Sequence, residues 1–198
     1  MKNYIYLSFC LLFISCSSSR NIELQVVNDF IDEEFLGQGA TKILIKESTT
    51  RRIPLEYYEK AFLDKDNPED VTKVRIEPVG KRPFNWPIDS AEIKSLKDKN
   101  INDTIPYKWS KKDIRSKSIK ILDKKEMRPY FIILHKGTEH LAAIIELSKP
   151  LVTSNGKFAL INYSYFPFSL REGMNTVILM ENTSGKWKKI GMYRVATY

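Results

Sequence analysis

The side chains best suited to bind a metal are two histidines in one short segment. His135 and His140 lie in HKGTEH, with Glu139 beside the second histidine. Zinc enzymes place two histidines at i and i+4 of a helix, so that both imidazoles point the same way. These two are five residues apart across Gly137, a spacing that favours a turn. We therefore expect an exposed turn, with no metal site and no cofactor.

Motifs for nucleophilic catalysis and for phosphate binding are missing from the sequence. There is no Gly-x-Ser-x-Gly, and GQGATK, with Gly37 and Gly39, lacks the ending of a phosphate-binding loop. Carboxylates remain, in clusters within 32–34 and 64–70. Glycosidases use two carboxylates about 5 to 10 Å apart, usually from distant chain positions. A hydrolase of envelope polysaccharide or peptidoglycan therefore stays open as an alternative, but the sequence indicates no catalytic residue.

Both cysteines of the chain lie near its start. Cys10 is inside an apolar run from Tyr4 to Ile14, and Cys16 follows Ser15 directly after that run. Crossing a bilayer takes a helix of about 20 residues, whereas the apolar part of a secretory signal has about 7 to 15. The run therefore predicts a signal. Cleavage before Cys16 would leave a body without disulfides or thiolate catalysts.

The segment FISC, which ends at Cys16, resembles a bacterial lipoprotein signal of the loose form found in Bacteroidetes. The resemblance implies cleavage after Ser15, lipidation of the Cys16 sulfur and attachment to the membrane through that lipid. Phe13 and Ile14 stand where the family pattern favours Leu and a small residue. An ordinary secretory signal with an incidental cysteine is the alternative. We predict a signal in residues 1–15, a lipidated tether in 16–21 and one domain in 22–198.

Charge is distributed unevenly along a chain whose net charge is +8. Residues 16–80 carry a net −4, residues 81–128 a net +7 and residues 129–198 a net +4. A basic middle segment could face anionic headgroups, a sugar acid or nucleic acid, and the alternative is a lysine-rich solvated surface. We expect an envelope protein or glycan as partner and no nucleic acid. The start lacks acidic residues that mark surface export in Bacteroidetes, which favours the periplasmic face of the outer membrane.

The most distinctive ligand-binding candidate is the aromatic segment NYSYFPFSLREG. Its candidate residues are Tyr163, Tyr165, Phe166 and Phe168. An aromatic strip can stack on sugar rings or hold a protein partner. The alternative is that this face packs under helices as part of the core.

Periodicity indicates helices in the front half of the chain. Ile22–Phe35 has apolar residues at three- and four-residue steps, and IPLEYYEKAFLDK has Pro54 in its first turn. AEIKSLKDKN follows a capping-box pattern that begins at Asp89. TKILIKES and residues 71–79 are the strand candidates there.

The back half has strand-like segments at short intervals, with turns between them. The predicted strands are Ile119–Leu122, Tyr130–His135, Ala142–Leu147, Lys157–Tyr165, Thr176–Met180 and Trp187–Val195. Asn155-Gly156 is typical of a tight hairpin, and ENTSGKW is typical of a looser hairpin that closes on Gly185. The spacings leave no room for crossover helices, so we expect antiparallel neighbours.

The segments LSKPLVTSNGKFALINYSYF and ENTSGKWKKIGMY resemble the C-terminal part of an uncharacterised flavobacterial family of secreted lipoproteins. The resemblance implies a sheet and no particular activity. We predict an α+β fold, in which N-terminal helices pack on a C-terminal antiparallel meander sheet, similar to the cone-shaped nuclear-transport-factor-like fold. The function predicted is a membrane-anchored binding or structural module of the cell envelope.

Overall fold

The computed structural model describes residues 20–35, 41–66, 76–80, 84–126, 141–167 and 173–195. The helices within them are α1 (residues 20–35), α2 (Arg52–Leu63) and α3 (Ser90–Lys99), with a short 3-10 helix at Lys124–Glu126. The strands are β1 (Thr41–Ile45), β2 (Glu77–Pro78), β3 (Ile119–Leu122), β4 (Leu141–Leu147), β5 (Leu151–Val152), β6 (Phe158–Pro167), β7 (Met174–Thr183) and β8 (Lys186–Val195).

The eight strands of these ranges form one mixed sheet. Its order is β2-β8-β7-β6-β4-β1-β3, and β5 pairs with β6 beside β4. The pairs from β4 through β6 and β7 to β8 are antiparallel, as is β8 with β2. By contrast, β1 is parallel to both of its neighbours, β3 and β4. A strand from the front half therefore lies between two strands from the back half.

The predicted α+β fold, with N-terminal helices on a C-terminal meander and a cone-shaped outline, is wrong. Two front-half strands, β1 and β2, belong to the sheet, and the parallel pairs of β1 break the antiparallel meander. Parallel pairing needs a long crossover connection. Residues 46–118, with α2 and α3, supply it between β1 and β3. The short spacings between the strands of the back half indicated local hairpins. They carried no information on whether β1 pairs with β3 and β4.

Different helices cover the two faces of the sheet. Phe30 of α1 packs in one core with Ile161 of β6. Leu55 of α2 and Leu96 of α3 pack in a second core with Leu160, which is adjacent to Ile161 in β6. Because successive strand residues point to opposite faces, α1 lies on one face and the pair α2 and α3 on the other.

Local signals in the sequence correspond to the observed turns and caps. The Asp89 carboxylate accepts a hydrogen bond of 2.9 Å from the Glu92 N–H at the start of α3, which confirms the capping pattern. The hairpin between β5 and β6 turns at Gly156, with φ +67°, but four residues separate the paired Thr153 and Phe158, so it is looser than predicted. The β7–β8 hairpin turns at Ser184 and Gly185, with φ +54° and +82°, as a tight two-residue turn requires, so it is tighter than predicted.

A bulge joins β4 and β5 along the same edge of β6. The Ser148 N–H donates to the Asn162 carbonyl at 2.8 Å, and the Asn162 N–H donates to the Ser148 hydroxyl at 2.9 Å. The Ser148 side chain thus takes the place of a backbone acceptor at this point. The irregularity places Lys149 toward α1, where it contacts Glu23.

Candidate functional site

The predicted aromatic strip is divided between the two faces of β6. Tyr163 is buried, with its ring centroid 5.1 Å from that of Phe30 in α1. Tyr165 is half-buried and stacks on Phe35, with centroids 6.0 Å apart. Phe166 takes the opposite face of the strand and is 40% exposed. Both tyrosines therefore contact α1.

Several predictions concern residues outside the described ranges. Cys16, His135, His140 and Phe168 are among them, as is the predicted strand Tyr130–His135. These stay predictions. Within the described ranges, no group of three or more His, Cys, Asp or Glu side chains is placed to hold a metal ion.

Three carboxylates that the structure buries are each bound to hydrogen-bond donors or cations of the protein. Glu23 pairs with cations on two other elements. The Asp29 carboxylate accepts a hydrogen bond of 3.0 Å from the backbone N–H of Trp187 and lies 2.8 Å from an Arg115 nitrogen. Asp113 accepts from the backbone and hydroxyl of Ser110. These contacts account for all three carboxylates as structural groups.

The predicted carboxylate clusters are engaged in a similar way. Asp32 lies 3.4 Å from Arg115, and Glu33 accepts the Lys189 N–H at 3.0 Å. Glu34 pairs with the Lys189 ammonium at 2.6 Å. Glu33 and Glu34 therefore attach α1 to β8, and Asp32 attaches it to Arg115. Of the second cluster, the structure describes Asp64 and Asp66, and the Asp66 carboxylate lies 3.4 Å from the Lys65 ammonium in the same turn.

An open groove of about 550 Å³ runs along β3, the strand at one edge of the described sheet. Its lining comes from β1 and the residue after it, from the turn that begins at Trp109, and from residues 117–126. We call it the lysine groove. Its charged residues are Lys46, Lys111, Lys117, Lys120, Asp123 and Glu126.

Backbone hydrogen bonds on the two sides of Lys46 fix two walls of the lysine groove. The Lys46 N–H donates to the Leu122 carbonyl at 2.8 Å, which continues the ladder beyond β1. On its other side, the Lys46 carbonyl accepts the Trp109 N–H at 2.8 Å. The Trp109 indole is buried and packs edge-on against Tyr107, at 4.9 Å between centroids. The backbone therefore brings Lys46 beside residues more than sixty positions further along.

The third wall is the turn from Ser110 to Asp113, which α1 holds in place. The Asp113 side chain accepts from the Ser110 N–H at 2.8 Å and from its hydroxyl at 2.6 Å. From α1, the Asn28 amide donates to the Asp113 carbonyl at 2.8 Å and accepts the Arg115 N–H at 2.7 Å. A buried asparagine with these partners is costly to displace, so the wall is rigid.

The ionisation of Asp113 reflects two opposing effects. Burial by itself raises its pKa, but hydrogen bonds from Ser110 and Tyr107 and the charge of Arg20 outweigh burial and lower the pKa below the usual value. A general acid in catalysis needs the opposite shift. Asp113 is therefore a permanently charged anchor of the turn at neutral pH.

The cations of the lysine groove have few carboxylate partners. Among the described residues, Lys46, Lys111 and Lys117 make no ion pair, and the Lys111 ammonium donates to the Ile119 carbonyl at 3.0 Å. Its two carboxylates are used locally. Glu126 accepts the Asp123 N–H at 3.0 Å, and Asp123 accepts the Lys125 N–H at 3.2 Å, at the start of the 3-10 helix. The groove therefore presents an excess of positive charge to solvent.

A second cavity, of about 380 Å³ between α2 and α3, is electrostatically different. Its cations have carboxylate partners: Arg52 pairs with Glu56, and Lys97 lies 2.5 Å from a Glu59 oxygen. Arg51 pairs with Glu23 and Asp103. Because its charges are already neutralised, this cavity offers an anion less than the lysine groove does.

The sequence indicated a basic segment in 81–128 but not the groove. Lys111, Lys117 and Lys120 belong to that segment. Lys46 lies far outside it, and no spacing or periodicity connects it with the others. The long-range pairing of β1 with β3 is what brings them together.

Neither protein-family models nor curated proteins nor solved structures match this chain. The helices of the described residues are all too short or too polar to span a bilayer.

Proposed function

We propose that this protein is a cell-envelope lipoprotein, anchored through lipid on Cys16, that binds a polyanionic ligand in its lysine groove. The body acts as a binding module and the lipid keeps it at the membrane. The periplasmic face of the outer membrane remains the proposed location. The aromatic strip is not part of this site, because its tyrosines pack on α1.

One observation carries the binding proposal. Lysines from separated parts of the chain line an open groove, and its two carboxylates are engaged in a local cap. A cleft lined by one sign of charge concentrates ligands of the opposite sign. A lysine-rich solvated surface would not require lysines from three separate segments to line the same groove.

Two alternatives have less support from the described residues. A hydrolase needs a carboxylate available for proton transfer, whereas the buried Glu23, Asp29 and Asp113 hold structural partners. A single-stranded nucleic-acid site needs exposed aromatic rings on which bases can stack. The groove's aromatic residue is Trp109, which is 1% exposed.

The ligand proposal is tested with polyphosphate as the probe. Changing Lys46→Gln together with Lys117→Gln should weaken polyphosphate binding about tenfold, on the order of 0.7 kcal/mol for each partly exposed charge pair. Isothermal titration calorimetry at low salt measures the change. Neither lysine makes an ion pair among the described residues, so folding should be unaffected, as urea unfolding will verify.

The matched control changes Lys94→Gln and Lys99→Gln on α3. Both lysines are exposed, the loss of charge is the same, and α3 lies on the opposite face of the sheet. This variant should bind polyphosphate nearly as the parent protein does. Equal weakening by the two variants, or no binding by the parent, would exclude the groove as the ligand site.

The anchor is tested separately in cells. Radiolabelled fatty acid should enter the parent protein and should be absent from the Cys16→Ala variant, because the thiol sulfur is the atom that accepts the lipid. Equal labelling of both proteins would end the lipoprotein proposal and leave the groove proposal unaffected.

A further inference from the structure

The lysine groove lies on the same side of the body as Arg20, at the start of α1. Arg20 is the first described residue, and its guanidinium is 3.2 Å from the Tyr107 hydroxyl and 3.5 Å from Asp113. Asp113 in turn binds Ser110, which lines the groove. Two direct contacts therefore connect the start of α1 with the groove wall.

Chain length limits how far this wall can be from the proposed lipid. Four peptide units separate Cys16 from Arg20. Fully extended residues span at most about 3.6 Å each, so roughly 14 Å is the longest possible separation of the two Cα atoms. Roughly 10 Å is the screening length of exposed charges at moderate salt. An acylated Cys16 would therefore hold Arg20, and the groove wall connected with it, at a separation from the lipid attachment that is comparable with the screening length.

The surrounding charge fits an anionic surface. Residues 108–125 contain eight Lys or Arg and two Asp. Polybasic segments near a membrane are attracted by anionic lipids, and a single acyl chain becomes a stable anchor when such a patch assists it. The groove and its neighbours therefore have the composition and the position of a second membrane contact.

We propose that the polyanion recognised by the lysine groove is the layer of anionic phospholipid headgroups in the membrane that carries the protein. This inference rests on the proposed function and names its ligand. Lys46, Lys111 and Lys117 would contact headgroup phosphates, so that α1 and the groove face the bilayer and α2 and α3 face away. The lipid and the lysines together would then fix the orientation of the body.

The experiment uses the full chain with Cys16→Ser, so that no acyl group contributes. Co-sedimentation is measured with vesicles of phosphatidylcholine alone and with vesicles that also contain phosphatidylglycerol. We expect binding to the anionic vesicles that decreases with added salt. Lys46→Gln with Lys117→Gln should weaken it by about fivefold for each lysine, hence roughly 25-fold. The apolar residues 4–14 are the same in every variant and cancel in this comparison.

The control Lys94→Gln with Lys99→Gln should change vesicle binding by less than about threefold, because α3 packs on the opposite face of the sheet from α1 and its lysines are screened by salt. Equal loss in both pairs of variants would overturn the inference, as would equal binding to neutral and anionic vesicles. Complete competition by inorganic phosphate would identify a small-anion site instead. If polyphosphate binds the groove but anionic vesicles do not, this inference fails and the proposed function stands. If neither binds, both fail.

Discussion

Replacing Glu23 by Gln should test a largely buried charge network that joins α1 to two other parts of the fold. The two carboxylate oxygens of Glu23 lie 3.0 Å from Arg51 and 2.8 Å from Lys149. The side chain of Glu23 is 11% exposed, that of Arg51 13% and that of Lys149 24%. Through these contacts one carboxylate connects α1 with the start of α2 and with the bulge between β4 and β5.

The expected loss follows from what remains after the substitution. At 3 Å and an effective dielectric constant of about 20, each pair attracts by roughly 5.5 kcal/mol, and desolvation offsets most of it. Removing one partner of a buried pair costs about 3 to 5 kcal/mol. Arg51 keeps Asp103, 2.8 Å away, and the Lys149 ammonium can reach water, which reduces the cost. We therefore expect a loss of about 2 to 3 kcal/mol.

Urea unfolding followed by circular dichroism measures this loss. Glu56→Gln is the matched control, because Glu56 pairs with Arg52 at 3.6 Å where the side chains are 60% and 71% exposed. An exposed i,i+4 pair contributes about 0.3 to 0.5 kcal/mol. Adding Lys149→Met to Glu23→Gln should recover part of the stability, since it removes an unpaired cation. If Glu23→Gln costs no more than Glu56→Gln, the reasoning about this network is refuted.

Two further predictions concern stability and pH. Tyr58→Phe should cost about 1 to 3 kcal/mol in urea unfolding, because the buried Tyr58 hydroxyl both donates to the Ile88 carbonyl and accepts the Ile88 N–H at 3.2 Å. Burial also raises the pKa of Tyr58, so the contribution of its neutral phenol to the free energy of unfolding is complete below about pH 10 and is lost as pH rises. Ultraviolet titration should show a phenol that ionises only on unfolding. The pKa of Asp113 is lowered, so its contribution is complete above about pH 4 and is lost as pH falls. Asp113→Asn should therefore flatten the acid limb of the plot of unfolding free energy against pH, and an unchanged slope would contradict the assignment.

Elements with short-range signals could be predicted from the sequence. The helix over Ile22–Phe35 lies within α1, and the strand over Ile119–Leu122 is β3 with the same bounds. The cap at Asp89 and the hairpin at Gly156 were also predicted. Helical and strand periodicity, capping and tight turns depend on residues close together in the chain, so the sequence carries them directly.

Features that depend on distant residues could not be predicted in the same way. The parallel pairing of β1 with β3 and β4 decided the sheet, and it overturned the predicted meander. The same pairing placed Lys46 and Lys117 in one groove, near opposite ends of β3. The sequence also left open whether Tyr163 binds a ligand or packs, and the contact with Phe30 gives its place in the core.

The sequence by itself determined the local elements, the basic character of the middle segment and the candidate anchor at Cys16. Tertiary structure decided the strand order, the division of helices between two faces and the gathering of lysines into one groove. The physical reason is that backbone hydrogen bonds between strands do not depend on which side chains the strands carry. The choice of which strands pair is therefore set by packing over the whole molecule. The positions of charged side chains on the surface depend on the positions of the backbone, and the packing of the core sets those.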